Sequence, residues 1–447
     1  MPTRFVHAAD IHLGFRQYSS PQRYNDFSAA LECLVDETID ARADFMLLAG
    51  DLFHKRSIDP FTLWQATSIL ARLGEAGIPA YDVQGNHERP HTGEAASWLD
   101  YLAQLGVLRV LSTRYGKDGI IVDPWSAEQK RGTYVDLPGG IRILGLPYYG
   151  ASTGRAVQDL VKALEADTSP RPAYTILMMH AGLQGVLDNY AATLSRAQLD
   201  PLRPYIDYLA LGHIHKPFRQ DDWIFNPGSP ETCSIAEAAW EDRGYFVVEV
   251  DPRHSPAHAV TAVRNPRRPF LRYPFPVEGH DTPAALEQAL LRHLGHEASD
   301  RLRERKPVVQ VDLVGTLPFS RADLDFARLE ARVADLFAAT ACRVRDDTAP
   351  ADFEVATATG LTRPELERHV LRELIERDVR RRQHSADWAD LVLRIKQMAL
   401  TGSGPGEIVD ELADLTRLLA EREATGAAER AEESADEEPD GEAGAPC

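Results

Sequence analysis

Thiols, long apolar runs and positive charge are all scarce in this chain. Its four cysteines, Cys33, Cys233, Cys342 and Cys447, lie far apart and form no CxxC pair. That argues against a zinc ribbon or a disulfide framework and fits a reducing compartment. No stretch approaches the roughly 18–20 apolar residues that a membrane helix needs. The opening run of Phe5, Val6, Ala8 and Ala9 is too short for a signal-peptide core, and no small-residue cleavage site follows it. A cytoplasmic protein with no membrane contact is expected. Lys and Arg number 49 against 68 Asp and Glu, a net charge of −19. Ten acidic and two basic residues from Glu421 to Cys447 supply −8 of this and leave −11 for the rest. Taken alone, that balance counts against nucleic-acid binding, which usually shows a basic surface.

What is present is an ordinary globular composition, 44% hydrophobic and 26% charged, in 447 residues, enough for two or three domains. Up to about residue 250, short apolar runs alternate with helical patterns. Strands are expected at Arg4–Ala9, Phe45–Ala49, Pro79–Gln84, Ile141–Leu146, Ala173–Met179, Tyr208–Leu211 and Tyr245–Val250. Helices are expected at Ser28–Arg42, Pro60–Gly74 and Ala95–Leu105. The rhythm implies an α/β sandwich with function at the strand ends, and antiparallel members in the second half, where strands come closer together. Asn265-Pro266-Arg267-Arg268-Pro269 reads as a domain junction. After it come strand Phe270–Val277, helix Ala284–His296, strand Val308–Val314, helix Ala322–Phe337 and strand Cys342–Arg345, a small α+β unit.

From Leu361 the pattern is helical only. Thr362-x-x-Glu365 is a capping box with Pro364 in the first turn, followed by the stripe Leu366, Val370, Leu371 and Leu374. Ser385 opens a second helix with Trp388, Leu391, Val392 and Ile395 on one face, and a third runs from about Glu407 to Glu421. Such helices form either an extra subdomain or a docking surface for a partner. Seven arginines between Arg363 and Arg382 form either a solvated helix face or a contact to DNA or an acidic partner. The Glu-rich end is expected to be disordered.

Five segments place metal-type ligands just after expected strands: Asp10-Ile11-His12, Gly50-Asp51, Gly85-Asn86-His87-Glu88, His180 and Gly212-His213-Ile214-His215. Strand ends gather at the carboxyl edge of an α/β sheet, where ligands bind. The i, i+2 spacing of Asp10/His12 and His213/His215 points each pair the same way from an extended segment. Two carboxylates, an amide oxygen, several imidazoles and no thiolate suit manganese, iron or zinc and disfavour a soft metal. Two metals about 3.5–4 Å apart bridge a phosphate and activate a water. A carboxylate is the natural bridge between them, and Asp51 is the choice. His7, inside the first strand, reads as a hydrogen-bonded core histidine.

The ordered set Asp10-x-His12, Gly50-Asp51, Gly85-Asn86-His87-Glu88, His180 and Gly212-His213-x-His215 resembles the calcineurin-like metallophosphoesterase superfamily. The wording Phe5-Val6-His7-Ala8-Ala9-Asp10-Ile11-His12-Leu13-Gly14 and Ala49-Gly50-Asp51-Leu52-Phe53-His54 resembles its DNA double-strand-break repair nucleases, the meiotic recombination eleven and SbcD type. Ala9 and Glu88 depart from the serine and aspartate frequent there.

The resemblance implies a four-layer α/β/β/α sandwich over 1–265, a small α+β capping domain over 266–350, a helical segment over 351–421 that binds a coiled-coil, SMC-like ATPase through about 361–400, and a disordered acidic tail over 422–447. It implies two divalent ions, Mn2+ above all. One is held by Asp10, His12, Asp51 and His215, the other by Asp51, Asn86, His180 and His213. His87 would be the non-ligand acid that protonates the leaving oxygen, and His54 would lie beside the phosphate. The activity would be Mn-dependent exo- and endonuclease cutting of DNA. Two bound cations add about +4 locally, so the site itself need not be basic.

The family implies a homodimer through Phe61–Leu73 and Ala95–Leu105, whose apolar residues otherwise read as sheet-facing core. Two other readings stand beside the nuclease: a metallophosphoesterase acting on cyclic nucleotides, nucleotide pyrophosphates or phosphoproteins, and an inactive scaffold of the same fold.

Overall fold

The computed structural model describes residues 2–350 apart from 95, 118 and 188–192, then 362–376, 381, 384–401, 403–414 and 417. The chain divides into two units, 1–349 and 350–447.

In the first unit the leading strands are β1 (Thr3–Ala8), β2 (Phe45–Leu48), β3 (Ala80–Asp82) and β4 (Arg109–Val110). A second set follows: β5 (Tyr134–Leu137), β6 (Ile141–Leu146), β7 (Tyr174–His180), β8 (Tyr208–Gly212), β9 (Phe218–Gln220) and β10 (Ile224–Asn226). Then β11 (Gly244–Val250) and β12 (His258–Arg264) return to the first sheet. The two sheets run β12-β11-β1-β2-β3-β4 and β9-β10-β8-β7-β6-β5. Parallel pairing fills both centres, and antiparallel strands lie only toward the edges: β11 and β12 in one sheet, β5 and β9 in the other. The antiparallel members expected in the second half are therefore confined to its margins.

Side-chain alternation builds four layers. Along β1, Phe5 points into the space between the sheets, while Val6 and Ala8 point out to the helices. Along β2, Phe45 and Leu47 take the inner face, Met46 and Leu48 the outer. The second sheet repeats this, with Ile176 and Met178 inward and Leu177 and Met179 outward. A strand covered on both faces must be apolar throughout, which is why these runs read as continuous rather than alternating. Helices α1 (Pro21–Asp40), α2 (Pro60–Glu75) and α3 (Trp98–Gln104) cover the first sheet, and α4 (Thr153–Ala166) covers the second.

Helix α1 starts at Pro21, earlier than the apolar pattern suggests, with the Ser20 hydroxyl accepting from the N–H of Arg23. Its first turns mix buried Tyr24 and Phe27 with polar Gln22, Arg23, Asn25 and Asp26, which blurs the hydrophobic period there. Arg23 is buried by ion pairing, with Asp26 at 2.5 Å and Glu231 at 3.2 Å. Helix α3 begins at Trp98, because Ser97 and Asp100 form its capping box. Helices α2 and α3 each divide their apolar residues between two faces. Ile69, Leu70, Leu99 and Leu102 face the core, while Phe61, Trp64, Tyr101 and Leu105 are exposed.

The smaller part of this unit has a three-stranded sheet, β13 (Phe270–Pro276), β14 (Val308–Leu317) and β15 (Ala341–Pro350), under helices α5 (Pro283–Gly295) and α6 (Phe326–Phe337). The helix expected from Ala322 begins only at Phe326, since Asp325 caps it after a separate turn at Arg321–Asp323. Asp26 of α1 clamps Arg268 at the junction through two bonds of 2.7 and 2.8 Å.

In the second unit, α7 (Arg363–Glu376) packs beside α8 (Ser385–Thr401). Thr362 donates its N–H and hydroxyl to Glu365, both at 2.7 Å. Positions 405–414 are helical. Leu374, Val392 and Leu400 are exposed on this pair. Of the arginine-rich run 377–382, only Arg381 is described, lying 5.2 Å from the Trp388 ring. The acidic tail lies outside the described residues. Among the described residues, no helix is long and apolar enough to cross a membrane.

Candidate metal centre

The ends of β1, β2, β3, β7 and β8 converge at one edge of the sandwich and bring all seven expected ligands together. The turns that do this are sharp. Asp10, His12, Asp51 and His213 have φ of 56°, 55°, 57° and 93°. Non-glycine residues seldom adopt that region, and the strain clusters at functional sites. Gly50, at φ 86°, has no room for a side chain, because a Cβ would lie 2.4 Å from His180 Nδ1.

Two groups emerge, joined at Asp51. Asp10, His12 and Asp51 bring ligand atoms within 4.8 Å of one another, and His12 Nε2 lies 3.0 Å from His215 Nε2. On the other side, Asn86 Oδ1 lies 3.0 Å from both His180 Nε2 and His213 Nδ1, and His180 Nε2 lies 3.2 Å from Asp51 Oδ2.

Electrostatics follow from this crowding. Burial pushes Asp10 up to about 6, against the pull of His215 and His180. Burial also acts to raise Asp51, but His180, His12 and His87 outweigh it and hold that carboxyl far down. His180 is pushed up to about 9, because Asp51 overcomes the cost of burial. His12 goes well down through burial and then the charge of His215. Buried carboxylates facing buried imidazoles form a donor set that fits divalent cations.

His87 hangs over this group and is not one of the seven. Its main-chain N–H donates to Asp51 Oδ1 at 3.0 Å, and its Nδ1 lies 2.5 Å from the His54 carbonyl. His54 stacks on Phe15, ring centroids 3.7 Å apart, and its Nδ1 lies 3.4 Å from His12 Nδ1. Burial, then His87 and Lys55, lower it to about 4.

Three residues at the site escaped the sequence reading. Glu88, there only a non-ligand member of its motif, accepts the N–H groups of Gly85, Asp51 and Phe53 at 2.8, 3.1 and 2.9 Å and so ties two ligand loops together. Glu237 lies 2.9 Å from His215 Nδ1. Cys233 brings its sulfur within 4.8 Å of ring nitrogens of His12 and His215. Spacing along the chain compares a cysteine with its neighbours in sequence, whereas Cys233 reaches the site through tertiary packing. His7 is buried between the sheets, 3.0 Å from the Tyr208 hydroxyl and 3.1 Å from the Leu211 carbonyl.

Residues 3–217 match the calcineurin-like phosphoesterase family. They form a calcineurin-like phosphoesterase domain. The chain is similar to the DNA double-strand break repair protein Mre11 of Archaeoglobus fulgidus, 32% identical over 53% of this chain and 52% of that one. It is similar also to the protein of that name from Haloferax volcanii, 30% identical over 56% of this chain and 50% of its own. The chain thus spans about half the length of these curated relatives. The solved calcineurin-like phosphoesterase YfkN from Bacillus subtilis aligns at 13% identity with TM-score 0.36, over 56% of this chain and 84% of its own.

Proposed function

We propose that the chain is a Mn2+-dependent DNA exonuclease and endonuclease subunit of double-strand-break repair. The observation that carries this reading is the convergence of Asp10, His12, Asp51, Asn86, His180, His213 and His215 in two groups sharing Asp51. One ion would be held by Asp10, His12, Asp51 and His215, the other by Asp51, Asn86, His180 and His213. Bound there, two divalent ions supply Lewis acidity toward a phosphodiester and a nucleophilic water at neutral pH.

The chain's own groups do the rest. Asp51 is buried, so its charge acts on the reaction centre with little screening from water. His87 commits Nδ1 to the His54 carbonyl, which leaves Nε2 facing the site, 3.9 Å from Asp51 Oδ2. Its side chain is 34% exposed, so a substrate can reach it. A proton carried at that Nε2 passes to the leaving oxygen. His54, held flat on Phe15, lines the approach of the phosphate.

Support for DNA as the substrate comes from the names of the relatives. The small α+β part over 266–350 is assigned as a DNA-capping domain by its position and size. The helical pair within 361–400 is assigned as the surface for a coiled-coil ATPase, supported by its exposed Leu374, Val392 and Leu400. Deletion of 361–400 is expected to abolish co-purification with that ATPase. A second copy of the chain is assigned to the exposed Phe61, Trp64, Tyr101 and Leu105.

The test offers the purified protein, with Mn2+, duplex DNA bearing 3′ ends, single-stranded circles and bis-p-nitrophenyl phosphate. Cutting of DNA is expected. Hydrolysis of the small ester with no DNA cut, even with the ATPase added, would favour a small-molecule phosphoesterase. No hydrolysis at all would favour an inactive scaffold.

A further inference from the structure

Cys233 has no part in the seven-ligand scheme, yet it is held at the site by a rigid loop. Its main-chain N–H donates to Glu237 Oε2 at 3.0 Å. That same oxygen accepts from Arg243 Nη1 at 2.5 Å, and Arg243 Nη2 donates to Thr232 Oγ1 at 2.6 Å. Arg23 grips the loop from the other side, through the Thr232 carbonyl at 2.9 Å and Glu231 at 3.2 Å. Both arginines are fully buried. Two charged side chains sunk in the protein thus fix the backbone that presents the sulfur, the kind of support that sets donor positions.

A second observation points to what the sulfur faces. His12 is 2% exposed, and its Nε2 meets His215 Nε2 at 3.0 Å. His215 has its other nitrogen against Glu237, so Nδ1 carries the hydrogen and the Nε2 lone pair is aimed at His12. Two buried ring nitrogens facing each other require a proton or a cation between them. The sulfur of Cys233 lies within 4.8 Å of nitrogens of both rings.

We infer that Cys233 is a thiolate ligand to the cation held by His12 and His215, which makes that position thiophilic. This rests on the two-metal reading above and departs from it at one position. Imidazole and thiolate together favour zinc, cobalt or iron over manganese. The group around Asn86, His180 and His213, with oxygen and imidazole donors, keeps its preference for a harder ion. The centre is then suited to a mixed pair. On binding, the S–H bond would break with its proton leaving to solvent, and the sulfur lone pair would take the place of a water released from the cation.

Cobalt(II) reports the bond directly. The full chain is stripped of metal and titrated with Co2+ while absorbance and bound metal are followed. A near-ultraviolet sulfur-to-cobalt charge-transfer band is expected in the parent protein and in Cys33→Ser, and its loss is expected in Cys233→Ser. The serine variant keeps the bond to Glu237, because that bond is main chain. Cobalt uptake by the parent protein without the band would overturn the inference and leave the metal centre standing. Survival of the band in Cys233→Ser would do the same. No cobalt uptake by the parent protein would overturn the two-metal reading itself, a separate result.

Discussion

Glu237 and His215 meet at 2.9 Å, carboxylate oxygen to Nδ1. That contact fixes the ring's tautomer and orientation, so the nitrogen facing His12 is the one free to bind a cation. Glu237→Gln is predicted to weaken cation binding by roughly 10–100-fold, the range for loss of a partner that orients a ligand. Isothermal titration of the metal-free variant with Mn2+ or Zn2+ reads it. Unchanged affinity would mean that His215 needs no such partner. Glu237 also holds Arg243, so the variant's stability should be read alongside.

Much of this was visible in the chain itself. The phosphoesterase layers were legible because strands covered on both faces leave unbroken apolar runs, and the ligand motifs follow those runs directly. What was not legible depends on contacts between distant residues. Glu237 sits in a short turn that resembles any other acidic loop. Cys233 lies near His12 and His215 only through tertiary packing, so its spacing in sequence does not mark it. The first turns of α1 blur their apolar period, because Arg23 is buried beside Tyr24 and Phe27 against carboxylates 3 and 208 positions away. Exposure of one face of α2 and α3 was also undecided, since an apolar helix face looks the same whether a sheet or a second chain covers it.

His87→Ala is predicted to keep both metals and lose turnover by roughly 10²–10⁴-fold, the usual contribution of a general acid. Its side chain touches Asp51 only at 3.9 Å, and the closer bond to Asp51 comes from main chain that alanine retains. Metal content by atomic emission and hydrolysis of bis-p-nitrophenyl phosphate are measured together. Loss of metal from the variant would assign His87 to the ligands.

Burial lowers His7 to about 3, against the contrary pull of the Leu211 carbonyl. The unfolded chain then binds a proton near pH 6.5 that the folded chain refuses. Stability is whole above 6.5 and declines as pH falls from there toward 3. By pH 5 this one residue is predicted to remove about 2 kcal/mol. Urea unfolding of metal-free protein at pH 7 and pH 5 tests it against His7→Gln, a neutral replacement. The parent protein should lose about 2 kcal/mol more than the variant over that interval; equal losses would contradict the assignment.

Phe61 and Trp64 stack with centroids 5.4 Å apart and are 50% and 60% exposed. With Tyr101 and Leu105 they make an apolar patch suited to a self-complementary contact. Trp64→Glu is predicted to shift the protein from dimer to monomer in light scattering with the fold intact. A parent protein that is already monomeric would remove the dimer from the account.

The central claim is that seven side chains hold two cations through one shared carboxylate, Asp51. Counting bound Mn2+ at saturation, in the parent protein and in Asp51→Asn, tests it most directly. Two ions per chain in the parent, with both bound far more weakly in the variant, is the result the account predicts. A single ion in the parent protein, or two ions still held tightly by Asp51→Asn, would contradict it.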